Sequence, residues 1–389
     1  MKIMMLPTWF GGVSWWRFEK PAEALRAAGH EVYIPTSEEL QHQTKTKNPF
    51  EWMEEKIQNY DILHVGYAAD QSLPIALFKF RDKYNIPIVV DIDDDLDHVP
   101  TYNKGRSAFY PGSVHSRVVK TQLMHADGVT FSTPPLAETL AYLVKNNLSA
   151  VLGNWANPDD FDYSTPKERH EDQSIRLMVT GGSGRYGDWE IFEEPLKWAM
   201  AHYDGTGGKP MLRLFFMGGT PAWVLPYMSD KLNPEANRVF YIQPTPDVTL
   251  FNKVIRYVSP DIIISPVQTN DFNRSKSGLK FLEAALVGAA FLCTDYPTYE
   301  IAPKGSCLKV DNIFTQWQES LSALIEDKEL RAKLVDSARD FVLENALAEH
   351  YVRERVEFYS KVISARRASM CQSSSQEVGL VPESAPETS

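Results

Sequence analysis

Two patterns of apolar and polar positions alternate along most of the chain. Short runs rich in Ile, Val, Leu and Met are separated by longer stretches in which apolar residues recur every three to four positions. The runs predict buried strands and the longer stretches amphipathic helices. In the first part, strands are expected at 3–6, 32–34, 62–65, 86–90, 128–131 and 150–152. Helices are expected at 15–28, 49–60, 73–83, 114–125 and 136–145. Gly29 is placed to end the first helix in a left-handed conformation. Asn48, Pro49 and Glu51 read as an N-cap, a first-turn proline and the acid of a capping box.

A polar stretch rich in Asp, Glu, Pro and Lys then interrupts the alternation, which restarts with strands at 175–180, 212–217, 239–242, 262–265 and 290–293. Helices at 188–202, 247–258 and 277–287 fall between them. Repeated alternation of this kind predicts parallel sheets covered on both faces. The expected α/β organisation is a first Rossmann-like domain over 1–160, a linker over 161–174 and a second Rossmann-like domain over 175–345. A helix over 346–365 follows, then a disordered tail over 366–389, where Ser, Pro and Glu dominate and aromatics vanish.

Composition narrows the picture. The 389 residues are 43% hydrophobic and 12% aromatic, enough for sizeable cores, and Lys plus Arg number 40 against 51 Asp plus Glu. The net charge of −11 opposes binding that depends on neutralising a nucleic-acid backbone. The three cysteines, Cys293, Cys307 and Cys371, have no C-x-x-C spacing and suggest neither a disulfide framework nor a zinc site. Pro7 and the Gly11-Gly12 pair break the N-terminal apolar run before it reaches signal-peptide length. A cytoplasmic protein without membrane spans is the expectation.

Ligands of parallel α/β sheets sit beyond the carboxyl ends of the strands, so the residues after each strand carry the candidate chemistry. Gly11 and Gly12 open a strand-to-helix turn that either admits a ligand to the backbone or is simply a tight connection. Trp15 and Trp16 follow it as core or wall residues. Asp91, Asp93, Asp94, Asp95 and Asp97 crowd after the fourth strand. They suit a divalent metal, a solvated loop or acceptor hydroxyls, and crowding of this kind raises at least one carboxyl pKa. Residues 182–187 read G-S-G-R-Y-G, the spacing of a dinucleotide fingerprint, but the next strand ends in Met217-Gly218-Gly219 without the acid that would hold a ribose. The same loop with Arg185 suits a diphosphate.

The densest constellation spans residues 273–288. On one helix, Lys276, Lys280 and Glu283 would share a face, with Leu279, Leu282 and Leu286 forming the opposing stripe. Two ammonium groups near a helix N-terminus oppose its dipole, so an anionic ligand explains them better than stability does. His64 ends the third strand, where a lone histidine is more often packed than catalytic.

On the loop with Gly11-Gly12, on residues 273–295 and on the last helix with Tyr351, Phe358 and Tyr359, the chain resembles the GT-B fold "group 1" retaining glycosyltransferases that use nucleotide sugars. The resemblance covers about residues 1–365. It implies two Rossmann-like domains facing across a cleft, the last helix crossing back to the first, and transfer of a sugar from a nucleoside diphosphate to an acceptor hydroxyl with retention. It implies that Glu283 holds the donor ribose, that Arg185 with Lys276 or Lys280 holds the diphosphate, and that His64 lies near the transferred sugar. Gly11, Gly12, Gly182, Asn273 and Ser277 would complete the donor site, and Asp93, Asp94 and Trp15 would face the acceptor. Fixed cations would stand in for a metal, and no cofactor beyond the nucleotide-sugar co-substrate is implied. A glycan, lipid-linked or small-molecule acceptor fits the charge balance better than a modified DNA base. The family's first glutamate is replaced by Ser275. Two other classes compete: a dinucleotide-dependent oxidoreductase, on residues 182–187, and a non-catalytic binding protein, on Ser275.

Overall fold

The strand runs assemble into two six-stranded parallel sheets. The computed structural model describes residues 1–377 apart from 10, 37, 38, 40–49, 158, 160–173, 228–237, 244 and 246. The expected linker over 161–174 therefore lies, except for Ser174, outside the described residues. So do Asn48 and Pro49, and the helix they were expected to start begins at Glu51.

The first sheet comprises β1 (Lys2–Leu6), β2 (Glu31–Tyr33), β3 (Ile62–Gly66), β4 (Ile88–Ile92), β5 (Gly128–Phe131) and β6 (Ser149–Val151), in the order β2-β1-β3-β4-β5-β6. The second comprises β7 (Ile175–Thr180), β8 (Leu212–Met217), β9 (Val239–Ile242), β10 (Ile262–Ser265), β11 (Ala290–Thr294) and β12 (Leu308–Val310), in the order β12-β11-β10-β7-β8-β9. Central strands are buried on both faces, which is why they read as unbroken apolar runs. In both sheets the strand order reverses beside the first strand of the set, β1 or β7. The glycine-rich turns after those two strands thus lie at the switch points, where such sheets leave a crevice.

The chain crosses between the two units twice at one place. The Ala156 N–H donates to the Ala346 carbonyl at 2.8 Å, and the Ala348 N–H donates to the Ala156 carbonyl at 2.9 Å. Beside this bridge the Trp155 and Tyr351 rings stack at 3.7 Å and 6°. Beyond it the helix Val352–Glu377 returns to the first unit. Phe358, Tyr359, Val362 and Ile363 pack there with Ile3, Met5, Phe18, Ile62 and Val89. Each large apolar side chain buried in this way contributes roughly 1.5–3 kcal/mol. Gly128 makes the approach possible, because a Cβ there would stand 2.7 Å from Val362 and 3.0 Å from Phe358. The helix continues past the point where the sequence suggests that order ends. Arg366 ties it down, bonding to Asp82 at 3.0 Å and to Asn85 at 3.1 Å. No helix among the described residues is long and apolar enough to cross a membrane.

Candidate functional site

The carboxyl edges of the two sheets enclose a cavity of about 520 Å³. From the first unit, Gly12, Trp16 and Arg17 reach it after β1, Asp93 and Asp94 after β4, and Asn154 after β6. From the second, Thr180 ends β7, Gly182 and Arg185 follow it, and Lys276, Ser277, Lys280 and Glu283 follow β10.

The two glycine turns owe their residue type to different causes. Gly11 has φ +87° and starts the helical run Gly12–Ala27, whose Trp15–Glu19 segment is a π-turn. Gly12 and Gly182 both line the cavity, and a Cβ on either would meet no protein atom within 4 Å. Packing does not require glycine there, and the bare backbone leaves the cavity wall open at both positions. The other glycines of the 182–187 motif behave differently. A Cβ on Gly187 would stand 2.5 Å from the Tyr102 ring, and one on Gly184 would stand 3.1 Å from Asn103. These two glycines admit side chains of the first unit, so the spacing arises from contact between the units and not from a dinucleotide turn.

Lys276 is not on the helix with Lys280 and Glu283. That helix runs Leu279–Val287, and Gly278 precedes it because a Cβ there would strike Ile301 at 2.7 Å and the Thr298 carbonyl at 2.8 Å. Leu279 lines the cavity and does not belong to an opposing stripe. Gly278 offers no side-chain cap, which leaves first-turn N–H groups beside the cavity as donors for an anion. Lys280 Nζ donates to Glu283 Oε2 at 2.7 Å, one turn in. Lys276, in the preceding loop, donates to Asp94 Oδ1 of the first unit at 2.7 Å. Arg185 pairs with the buried Asp188, Nε to Oδ2 at 3.1 Å. Thr180 adds a buried hydroxyl with no protein partner at the cavity wall.

Other expected site residues do not reach the cavity. Asn273 is buried, donating to Asp188 Oδ1 at 2.8 Å and to the Gln268 carbonyl at 3.0 Å. Ser275 is also buried, and its carbonyl accepts from the Thr133 hydroxyl at 2.7 Å. Trp15 packs against the core of the second unit, with Lys20 Nζ 3.9 Å from the centre of its ring, and Trp16 takes its expected place at the wall.

His64 is enclosed behind the sheet and does not touch the cavity. Its Nε2 lies 3.2 Å from Thr130 Oγ1, and the Thr130 hydroxyl donates onward to Asp91 at 2.6 Å. The proton is therefore on Nε2, and the Tyr359 hydroxyl donates to Nδ1 at 2.6 Å. Burial lowers the His64 pKa to about 4, against the pull of Asp91. Through the Tyr359 hydroxyl it is joined to the last helix.

Sequence reasoning missed Arg17. Fully buried, it donates from Nε and Nη2 to Asp91 at 2.9 and 2.5 Å, and from Nη1 to the Leu152 carbonyl at 2.5 Å and Asn154 Oδ1 at 3.2 Å. Asn154 in turn donates to Ser277 Oγ of the second unit at 2.8 Å. The signal was a charge within Trp15-Trp16-Arg17-Phe18, since a charge inside an apolar run is paired or used. Asn154 carries the strand-end signal, since it follows the sixth strand, whereas Thr180 and Tyr102 had no comparable signal.

The acidic cluster separates in space. Burial raises the Asp91 carboxyl, but Arg17 and His64 outweigh it and hold it well below the usual range. Asp94 pairs with Lys276, Asp95 with His98 and Asp97 with Lys120. Asp93 is half-buried, and burial followed by the charges of Asp94 and Asp91 pushes it up to about 7. Among the described residues, no three His, Cys, Asp or Glu side chains gather as they would around a metal ion.

Solved structures share this arrangement of two sheets. The chain is similar to sucrose-phosphate synthase from Thermosynechococcus elongatus, with 15% identity, 94% of this chain and 100% of that one covered and a TM-score of 0.65. It is similar to a glycosyltransferase from Rickettsia africae, with 16% identity, 93% and 98% covered and a TM-score of 0.62. The fold is GT-B. A third GT-B neighbour, Anabaena HepE solved with UDP and glucose, has 13% identity, 92% and 99% covered and a TM-score of 0.62. No family model and no curated protein sequence matches the chain.

Proposed function

We propose that the chain is a retaining glycosyltransferase that moves a sugar from a nucleoside diphosphate to an acceptor hydroxyl. The observation that carries the reading is the asymmetry of the cavity. Its second-domain wall offers Arg185, Lys280 and an uncapped helix N-terminus around the single carboxylate of Glu283, a setting for a diphosphate, while its first-domain wall offers the carboxylates of Asp93 and Asp94 beside an Arg17 already paired with Asp91. The structural neighbours support the reading, since HepE is a complex with UDP and glucose by its description.

In this reading Glu283 holds the donor ribose, and Lys280, which it orients, holds the diphosphate together with Arg185. Gly12 and Gly182 let the backbone approach the donor. As the bond to the anomeric carbon lengthens, negative charge grows on the departing diphosphate. Cations and amides already in place stabilise that charge without reorganising. The acceptor hydroxyl approaches from the leaving-group face and gives its proton to the diphosphate, so the buried His64 is not needed as a base. Lys276, held by Asp94, and Ser277, held by Asn154, brace the donor loop against the acceptor side. Ser275, at the position of the family's first glutamate, does not line the cavity, and Lys276 and Ser277 beside it do, so the sugar is held without that glutamate in this reading.

A panel of UDP-, GDP-, ADP- and CDP-sugars, with released nucleoside diphosphate as the readout, tests the reading. Turnover of one donor with retained anomeric configuration is expected. A chain that stabilises with none of the nucleoside diphosphates and turns over none of the donors is not a glycosyltransferase.

A further inference from the structure

Four of the five clustered carboxylates after β4 have protein partners: Asp91 with Arg17, Asp94 with Lys276, Asp95 with His98, and Asp97 with Ser116 and Lys120. Asp93 is the exception among them. Only its main-chain carbonyl is engaged, by the Ser132 hydroxyl at 3.0 Å, and its carboxylate faces the cavity without a protein donor. A half-buried carboxylate left without a donor forfeits hydrogen bonds that water gave it in the unfolded chain, which a ligand hydroxyl would restore.

A second feature leads to the same place from outside. Trp9, in the turn between β1 and Gly11, is 42% exposed, and its ring centre is 6.0 Å from that of Tyr67, which is 8% exposed. The turn is fixed there because the Thr8 hydroxyl donates to the Tyr67 carbonyl at 2.6 Å. Tyr67 follows β3, and its N–H donates to the Asp91 carbonyl of the neighbouring β4 at 3.0 Å. Indole, phenol and carboxylate thus follow the neighbouring strands β1, β3 and β4 and form a strip along the carboxyl edge of the first sheet, which meets the cavity at Asp93.

We propose that the acceptor is an uncharged saccharide seated on this strip, with a hydroxyl of one sugar donating to Asp93 and the adjoining ring lying on Trp9. The proposal rests on the transferase reading and names the chemistry of its acceptor. A pyranose presents hydroxyl donors at its edge and an apolar C–H face, and the strip presents the complement of each. Phosphorylated or nucleic-acid acceptors would bring anions to Asp93 and Asp94. A lipid chain gains nothing from an unpartnered carboxylate.

The test is equilibrium binding of neutral disaccharides (maltose, lactose, chitobiose and mannobiose) to the full chain by saturation-transfer NMR, with glucose 6-phosphate as the charged comparison. At least one disaccharide is expected to bind, in preference to the phosphorylated sugar. Trp9→Ala should weaken it at least tenfold, Trp9→Phe should restore most of the loss, and Asp93→Asn should weaken it as well. Thermal stabilisation by nucleoside diphosphates reports separately on the donor side and on folding of each variant. If a nucleoside diphosphate binds but no disaccharide does, or if Trp9→Ala binds as the wild type does, the saccharide assignment is wrong and the transferase reading stands. If disaccharides bind and no nucleoside diphosphate does, the transferase reading is what fails.

Discussion

Lys276 Nζ lies 2.7 Å from Asp94 Oδ1, joining the loop after β10 to the loop after β4 across the cleft. Both side chains are partly exposed, so the pair is worth at most about 1 kcal/mol to stability. Its larger effect is expected on the width of the cleft, which it spans. Asp94→Asn should leave the melting temperature nearly unchanged and raise KM for the acceptor several-fold; an unaltered KM would show that the pair does not set the cleft.

Lys280 and Glu283 should tolerate substitution structurally but not functionally. Lys280→Ala and Glu283→Gln are each expected to reduce transfer by about a hundredfold or more, the scale for losing one fixed group that stabilises a transition-state charge. Circular dichroism should remain that of the wild type. Full turnover in both variants would move the donor site elsewhere.

Two glycines give opposite expectations. Gly182→Ala adds a methyl group that meets no protein atom, so stability should hold while nucleoside-diphosphate binding weakens. Gly187→Ala drives a methyl group into the Tyr102 ring and should lower the melting temperature, with a cost of about 1–3 kcal/mol for overpacking. Paired thermal melts and nucleotide titrations separate the two.

His64 gives a pH signature. Its folded pKa of about 4 lies below the unfolded value, so the fold excludes the proton. Stability linked to His64 is present above about pH 6.5 and is lost as pH falls towards 4. His64→Gln should cost about 1–3 kcal/mol at pH 7 through the severed links to Tyr359 and Thr130, and its stability should fall less steeply between pH 6.5 and 4. Activity per folded molecule should stay within a few-fold of wild type, which an active-site histidine would not allow.

Asp93 has the opposite sign. Its pKa is raised to about 7, so stability linked to it is full below about pH 4 and is lost as pH rises through 7. Asp93→Asn should melt higher than wild type at pH 8, by roughly 1–3 °C, and the gap should close at pH 5. Melting curves at the two pH values decide it.

The sheets were legible because a central parallel strand buries both faces and so reads as an unbroken apolar run. Strand β12, three residues at a sheet edge with Lys309 at its centre, carries no such run and escaped notice. The rule that ligands sit at strand ends pointed to Gly12, Asn154, Gly182, Arg185 and Lys280, and helical spacing to Glu283, all of which line the cavity. It failed at Asn273 and Ser275, which follow β10 but turn inward to brace Asp188 and Thr133. Helical periodicity placed Lys276 one turn too far into the helix, because the steric demand at Gly278 is tertiary. Arg17 was hidden by a π-turn, which shifts the faces of the helix, and by an ion pair with a residue 74 positions away. The motif at 182–187 misled because two of its glycines answer to Tyr102 and Asn103, side chains that no local pattern reveals.

Phe358, Tyr359 and Val362 cover β1, β3 and β4 from the far end of the chain, and this has a consequence for biosynthesis. At typical ribosomal rates of 5–20 residues per second, roughly 200 residues separate the emergence of β6 from that of the helix that covers its sheet, a delay of about 10–40 s. For that interval the first domain is translated but incomplete, with Ile3, Ile62 and Val89 uncovered and His64 without Tyr359. A chain released from the ribosome before Val352 would carry a finished second domain and an open first one.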